Sequence, residues 1–313
     1  MASRVSRRAF LVGGGLTVAT SVTASAFLVD AGVLPGQSLL NEALGRCDVT
    51  VPAASVLPGG SPGGSPGVSP GPVVDGSFES GRRRARVGFR LAYPPGSVDS
   101  DHLPVCLVLH GFGQTARDAI DAGRYDRYLA AAVAGGLPPF VLAACDGGPG
   151  YWHPHATDDP LGMLFDELLP LLASRGLAAG PADRLAVLGW SMGGYGALLC
   201  GVTRPERFAA VVASGPAIWR SYDEAHRVNP GAFDSAQEWA AYDVFAHADR
   251  LARVTVRIDC GHSDPFAPAV RALRDRLPDP GAVHMAKGCH NSDFWQHVAP
   301  AQIHLIGEGL NRT

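Results

Sequence analysis

Residues 185–199 run Leu-Ala-Val-Leu-Gly-Trp-Ser-Met-Gly-Gly-Tyr-Gly-Ala-Leu-Leu. A short apolar run leads into Gly-x-Ser-x-Gly and then into a segment of small and aliphatic residues, the pattern of a buried strand turning sharply into a helix. Gly189 and Gly193 remove the side chains that would obstruct so tight a bend. Ser191 is thereby expected at the tip, with its hydroxyl exposed at a helix N-terminus where backbone N–H groups face any negative charge that develops nearby. With 39 glycines in 313 residues such a match arises easily by chance. The flanks argue otherwise, because the next apolar segment, 208–213, has the composition of the following parallel strand.

Working outward, apolar runs at 103–109, 140–144, 184–188, 208–213, 254–259 and 282–286 are expected as strands, with 87–93 as an earlier one. Helical patterns fall between them at 116–134, 161–173, 235–248 and 267–277, and a last helix starts near Phe294. Strands alternating with helices over about 200 residues predict an α/β fold, a mostly parallel central sheet with helices on both faces. Sites in such sheets gather at the carboxyl ends of the strands. Those ends here carry His110-Gly-Phe112, Cys145-Asp-Gly147, Ser191, Gly215-Pro216, Gly261-His-Ser-Asp264 and Gly288-Cys-His290.

The chain has 46% hydrophobic and 18% charged residues, enough for one sizeable core. A net charge of −3 gives no reason to expect a nucleic-acid partner. The one dense basic run, Arg82-Arg-Arg-Ala-Arg86, fits a solvated turn and strand edge. Residues 1–26 have the form of an export signal: Arg4, Arg7 and Arg8, then a moderately apolar stretch ending in Ala24-Ser-Ala26. Ser6-Arg-Arg-Ala-Phe-Leu11 resembles the twin-arginine motif, which predicts a bacterial protein exported already folded, either cleaved or held at the cell envelope by its N-terminus. The stretch is too weakly apolar for a comfortable membrane span. Residues 27–72, including the Ser-Pro-Gly tract at 58–72, are expected as a linker without a domain, and 73–313 as the folded domain.

Six cysteines show no Cys-x-x-Cys spacing, so a zinc site of that kind is not expected. An oxidising compartment would permit disulfides, and Cys260 with Cys289, each at a predicted strand end, is the pairing the positions favour.

A serine hydroxyl needs a base to take its proton and a carboxylate to orient that base. In this architecture the chain order is Ser, acid, His. His290 follows the last strand, whereas His284, His297 and His304 lie within a strand or helix. Asp264 lies in the loop before the next helix, which starts after Pro265; its alternative role is a helix cap, and Asp259, Asp243 and Asp249 are the other acids. The oxyanion donors are expected to be the N–H of Met192 and that of Phe112, with Gly111 in reserve, and His110 is expected to be structural.

Leu109-His-Gly-Phe112, Gly189-Trp-Ser-Met-Gly-Gly-Tyr-Gly196, the Gly-x-x-Asp-x-Phe of 261–266 and Gly288-Cys-His290 followed by Phe294-Trp295 resemble the esterase D type of α/β-hydrolase. That group includes S-formylglutathione hydrolases, feruloyl esterases and secreted mycolyltransferases. The resemblance spans about residues 73–309 and implies the α/β-hydrolase fold, the triad Ser191, Asp264 and His290, Phe112 and Met192 as oxyanion donors, and neither metal nor organic cofactor. It implies a serine esterase acting on a small-molecule or lipid ester, or alternatively a mycolyltransferase-type enzyme passing the acyl group to a sugar or lipid alcohol. An export signal counts against S-formylglutathione, a cytosolic substrate.

Trp152 and Trp219 are the candidates for the pocket wall, and the Trp-, Tyr- and His-rich insertion at 219–239 is the expected lid. Asp158-Asp-Pro160 has the form of a cap for the helix at Leu161. His153-Pro-His155 is set aside as a metal pair because Pro154 separates the two and no third ligand is evident in the sequence.

Overall fold

The computed structural model describes residues 37–53, 68–97 and 102–312. The expected export signal at 1–26 lies outside them. The described residues up to Asp48 belong to a unit of their own and hold helix α1 (Gln37–Ala43), within the stretch expected as a linker. The second compact unit starts at Val49, ahead of the expected boundary at Val73. Within it Tyr128 Oη donates to the carbonyl of Pro52 at 2.8 Å, and the His297 ring lies 2.7 Å from the carbonyl of Thr50. Short-range composition cannot register these bonds, because their partners lie far along the chain.

Among the described residues eight strands form one sheet in the order β1-β2-β4-β3-β5-β6-β7-β8. They are β1 (Val73–Ser80), β2 (Ala85–Ala92), β3 (Val105–Leu109), β4 (Val141–Cys145), β5 (Leu185–Trp190), β6 (Phe208–Ser214), β7 (Thr255–Gly261) and β8 (Val283–Ala286). From β4 to β8 every neighbouring pair is parallel, and β2 joins antiparallel with β1 as a hairpin partner. The sequence reading missed β1. Its residues are almost all exposed or half-buried, as on an edge strand, and so carry no continuous apolar run. β3, β4, β5 and β6 are buried along their whole length, which is why they announce themselves as unbroken apolar runs.

Along the central strands successive residues alternate between two cores, one on each face of the sheet. Leu107, Val187 and Val211 point into one, packed by α4 (Pro160–Met163, a π turn Leu164–Leu168, and Leu169–Ser174), α5 (Met192–Thr203) and α8 (Ala267–Arg274). Val108, Leu188 and Val212 point into the other, covered by α3 (Tyr125–Ala134) and the long α9 (Ser292–Asn311). The helix predicted over 116–134 is broken into α2 (Ala116–Asp121) and α3, because Arg124 adopts a left-handed φ of 50° between them. The insertion carries α6 (Tyr222–Val228) and α7 (Ala236–Ala241).

The run at 82–86 is not simply solvated. Arg83 donates from Nε and Nη2 to both carboxylate oxygens of Asp158 at 2.8 Å and also reaches the carbonyl of Asp146, and its side chain is only 11% exposed. A bidentate pair of this kind clamps the β1–β2 turn onto the loops after β4. Asp159, beside it, takes the expected capping role: its side chain accepts from Gly162 N–H at the start of α4.

Candidate active site

The sheet changes direction of growth at β3, which has β4 on one side and β5 on the other. The crevice between the carboxyl ends of β3 and β5 is therefore the place where two loops part and leave room for a ligand. Ser191 stands there, at the junction of β5 and α5, with φ 54° and ψ −123°. A residue with a Cβ reaches that conformation only when its surroundings enforce it. They do so here: Ser191 N–H donates to the Ser214 carbonyl at 3.0 Å, and its own carbonyl accepts from Ala217 at 2.9 Å and Tyr195 at 3.1 Å.

The two glycines flanking the turn have separate tasks. A Cβ on Gly189 would meet the backbone of Gly193 one turn on, and a Cβ on Gly193 would meet the carbonyls of Leu109 and His110. The second contact draws the start of α5 against the loop after β3, where the two expected oxyanion donors lie. Gly193→Ala should cost roughly 1–3 kcal/mol of stability by overpacking. It should also cut kcat by about 100-fold through displacement of the donors. Urea unfolding and steady-state ester hydrolysis of the same preparation would measure both.

His290 bridges the other two candidates. Its Nε2 lies 2.8 Å from Ser191 Oγ and its Nδ1 lies 2.7 Å from Asp264 Oδ2. Asp264 is buried, and its second oxygen accepts the N–H of Phe266 at 2.8 Å, so the carboxylate is held from both ends. The helix that follows is capped at Phe266 without a side-chain bond, so Asp264 braces the turn rather than capping the helix. The rival acid, Asp259, is committed elsewhere: Arg257 donates to its two oxygens at 2.7 and 2.8 Å, and Gln302 of α9 adds a third bond at 2.6 Å. Asp243 spends one oxygen on the N–H of Phe245.

Around the nucleophile position, Gly111 N–H donates to Gln114 Oε1 at 3.1 Å, and Trp190 Nε1 shares that acceptor at 3.2 Å. Gly111 is thus occupied, which favours Phe112 over the reserve. Gln114 escaped notice in the sequence, although it lies only two residues beyond Phe112. His110 is buried. Its Nδ1 donates to the carbonyl of Gly111 at 2.7 Å, while its Nε2 accepts from Gly147 N–H at 2.9 Å, and burial pushes its pKa down. A neutral ring so engaged joins the ends of β3 and β4 and has no proton to exchange. Burial also drives the Cys200 thiol up to about 12, which removes it as a competing nucleophile.

Trp152 serves as a buried wedge. It is fully buried, wedged against Gly147 and Gly196, with Nε1 donating to the His110 carbonyl at 3.3 Å. Trp219 does face a cavity, together with Tyr195, Ile218, Phe233, Trp239 and Tyr242. That cavity offers only about 10 Å³ to the centre of a water molecule, room for about one water. The expected Cys260–Cys289 bridge is also absent: Cys260 keeps a free, buried thiol, whereas Cys289 is disulfide-bonded.

A Ser–His–Asp line on the crevice of a mostly parallel, helix-covered sheet has the architecture of an α/β-hydrolase. Residues 80–297 match the esterase family described as "Putative esterase", and the chain belongs to it. It is 26% identical over 222 residues to the S-formylglutathione hydrolase of Mus musculus, a match covering 62% of this chain and 76% of that one. Among solved structures a ferulic acid esterase superposes with a TM-score of 0.64 at 19% identity, covering 76% of this chain and 98% of the other. An S-formylglutathione hydrolase from Agrobacterium tumefaciens follows with a TM-score of 0.60 at 20% identity over 76% and 95%.

Proposed function

We propose that this chain is an exported serine esterase that hydrolyses carboxylic esters through an acyl-enzyme on Ser191. The observation that carries the reading is the continuous line Ser191 Oγ–His290 Nε2–His290 Nδ1–Asp264 Oδ2, with spacings of 2.8 and 2.7 Å. His290 takes the serine proton as Oγ attacks the ester carbonyl, and Asp264 holds the ring with its proton on Nδ1 and its lone pair toward Oγ. The N–H groups of Phe112 and Met192 receive the oxyanion. Collapse expels the alcohol, which takes the proton from His290, and a water attacks the acyl-enzyme by the same route in reverse.

Export rests on the N-terminal arginine pair and apolar stretch, and is supported by the disulfide at Cys289, which an oxidising compartment would maintain. Reaction with an organophosphonate ester should add one phosphonyl group to the peptide bearing Ser191 and abolish hydrolysis of p-nitrophenyl acetate. Labelling elsewhere with hydrolysis intact would defeat the proposal. Glycerol or trehalose that raised turnover and emerged acylated would replace hydrolysis by acyl transfer.

In this reading Trp219 limits the acyl chain. It is buried, it continues from Ala217, whose N–H binds the Ser191 carbonyl, and its ring lies 5.7 Å from Phe266, which itself lies 5.3 Å from His290. Trp219→Ala should enlarge the cavity and raise kcat/KM for p-nitrophenyl octanoate relative to acetate by about 10-fold or more. A chain-length series would measure the shift.

A further inference from the structure

The insertion supplies the third ligand that the His153-Pro-His155 turn lacked in the sequence. Nε2 of His153 donates to the carbonyl of Ala232 at 2.7 Å, and Nε2 of His155 donates to the carbonyl of Gly150 at 2.9 Å. A neutral imidazole has one N–H, so each ring keeps its lone pair on Nδ1. Both Nδ1 atoms turn toward one carboxylate: Glu238 Oε1 lies 3.9 Å from that of His153 and 3.6 Å from that of His155. The other oxygen of Glu238 accepts the N–H of Asp234, which fixes the carboxylate's orientation, and Asp234 Oδ2 lies 3.3 Å from His155 Nδ1. The His153 Nδ1 also has the Pro154 carbonyl at 3.1 Å, but the shorter bond to Ala232 claims the single proton. The His153 side chain has no exposed surface.

We propose that His153, His155 and Glu238 bind a divalent ion of the zinc type, with Asp234 as the fourth donor. Donors around a tetrahedral zinc at about 2.0–2.1 Å stand about 3.3 Å from one another. The Glu238 separations of 3.6 and 3.9 Å therefore need only a slight inward movement, and the exposed Asp234 side chain, 3.3 Å from His155 Nδ1, swings in to complete the shell. Two imidazoles with carboxylates suit a borderline ion, whereas calcium and magnesium prefer oxygen alone. The carbonyls holding the two Nε2 protons are the outer partners such ligands require. The ion is structural. It ties the loop at 150–155 to the insertion that walls the cavity, and the rings of Tyr151, Trp219 and Phe266 form a chain of contacts between that wall and His290. It has no place in the ester chemistry.

The test uses the untagged full chain, stripped with EDTA and titrated calorimetrically with zinc chloride. One zinc per chain and a rise in melting temperature are expected, and cobalt should give the intense visible absorption of a tetrahedral site. Glu238→Gln, which keeps the shape of the side chain, and His155→Gln should each weaken binding by about 100-fold or more. His284→Ala, an exposed histidine outside the cluster, should leave binding unchanged. The melting temperature of each stripped variant shows whether it folds. Absence of zinc binding by the wild-type chain, or equal binding by wild type and a folded Glu238→Gln, would overturn the proposal.

Discussion

Ser191→Ala should lower kcat for p-nitrophenyl acetate by about 10⁴–10⁶-fold while leaving KM within a few-fold of wild type. In the proposed mechanism the loss is that large because the hydroxyl is the atom that forms the acyl bond, and the buried Cys200 thiol is too hard to ionise to replace it. Some rate above background should survive, since the proposed donors at Phe112 and Met192 would still polarise a bound ester. Stability should behave differently from activity. Alanine keeps the Cβ and with it the strained φ of 54° at this position. Ser191→Gly relieves strain of about 1–3 kcal/mol, offset by the roughly 0.5–1 kcal/mol of extra chain entropy that glycine loses on folding. The glycine variant should therefore be as inactive as the alanine variant but melt at or above it. Hydrolysis assays and thermal melts of the three proteins would show the pattern. A Ser191→Ala enzyme retaining wild-type turnover would remove serine from the chemistry.

The elbow was legible in the sequence because its demands are local. A strand buried on both faces must be apolar throughout, and a turn with crowded backbone must be glycine on both sides of the serine. The order Ser, Asp, His followed from counting strand ends, which survive errors of a residue or two in each strand. What escaped were features whose cause lies far away in the chain. β1 is an edge strand with a mixed pattern, so only its pairing with β2 defines it. Arg83 had the composition of a solvated turn until Asp158 came against it from 75 residues on. The same holds for Glu238, which lies 83 residues beyond His155 and reaches it only because the insertion folds back.

Trp152 shows a different limit. An aromatic at a strand end in an active-site loop serves equally well as pocket wall or as buried wedge, and local sequence does not distinguish them. Gly147 and Gly196 decide it here, since the absence of their side chains makes the slot that the indole fills. Trp219 lies in a similar context but meets larger neighbours, and part of the cavity is left beside it.

Asp264→Asn should cut kcat by about 10⁴-fold, whereas Asp259→Asn should leave kcat near wild type and lower the melting temperature. Both acids are buried at the carboxyl end of β7, and composition alone leaves them interchangeable. Their partners separate them. In Asp264→Asn the side-chain oxygen can keep its bond to Phe266 N–H, which leaves the amide NH₂ facing His290 Nδ1. A donor there turns the ring to the tautomer with its proton on Nε2, so the nitrogen 2.8 Å from Ser191 can no longer accept. The fold loses little, because every contact is replaced by one of similar size. Asp259→Asn instead leaves the Arg257 guanidinium facing a neutral group in a largely buried place, at a cost of a few kcal/mol. The split between an activity defect and a stability defect is the measurement that matters, read from kcat and from denaturation midpoints. Should Asp259→Asn abolish turnover while Asp264→Asn retains it, the acid of the triad is Asp259 and the hydrogen bond from His290 to Asp264 is structural.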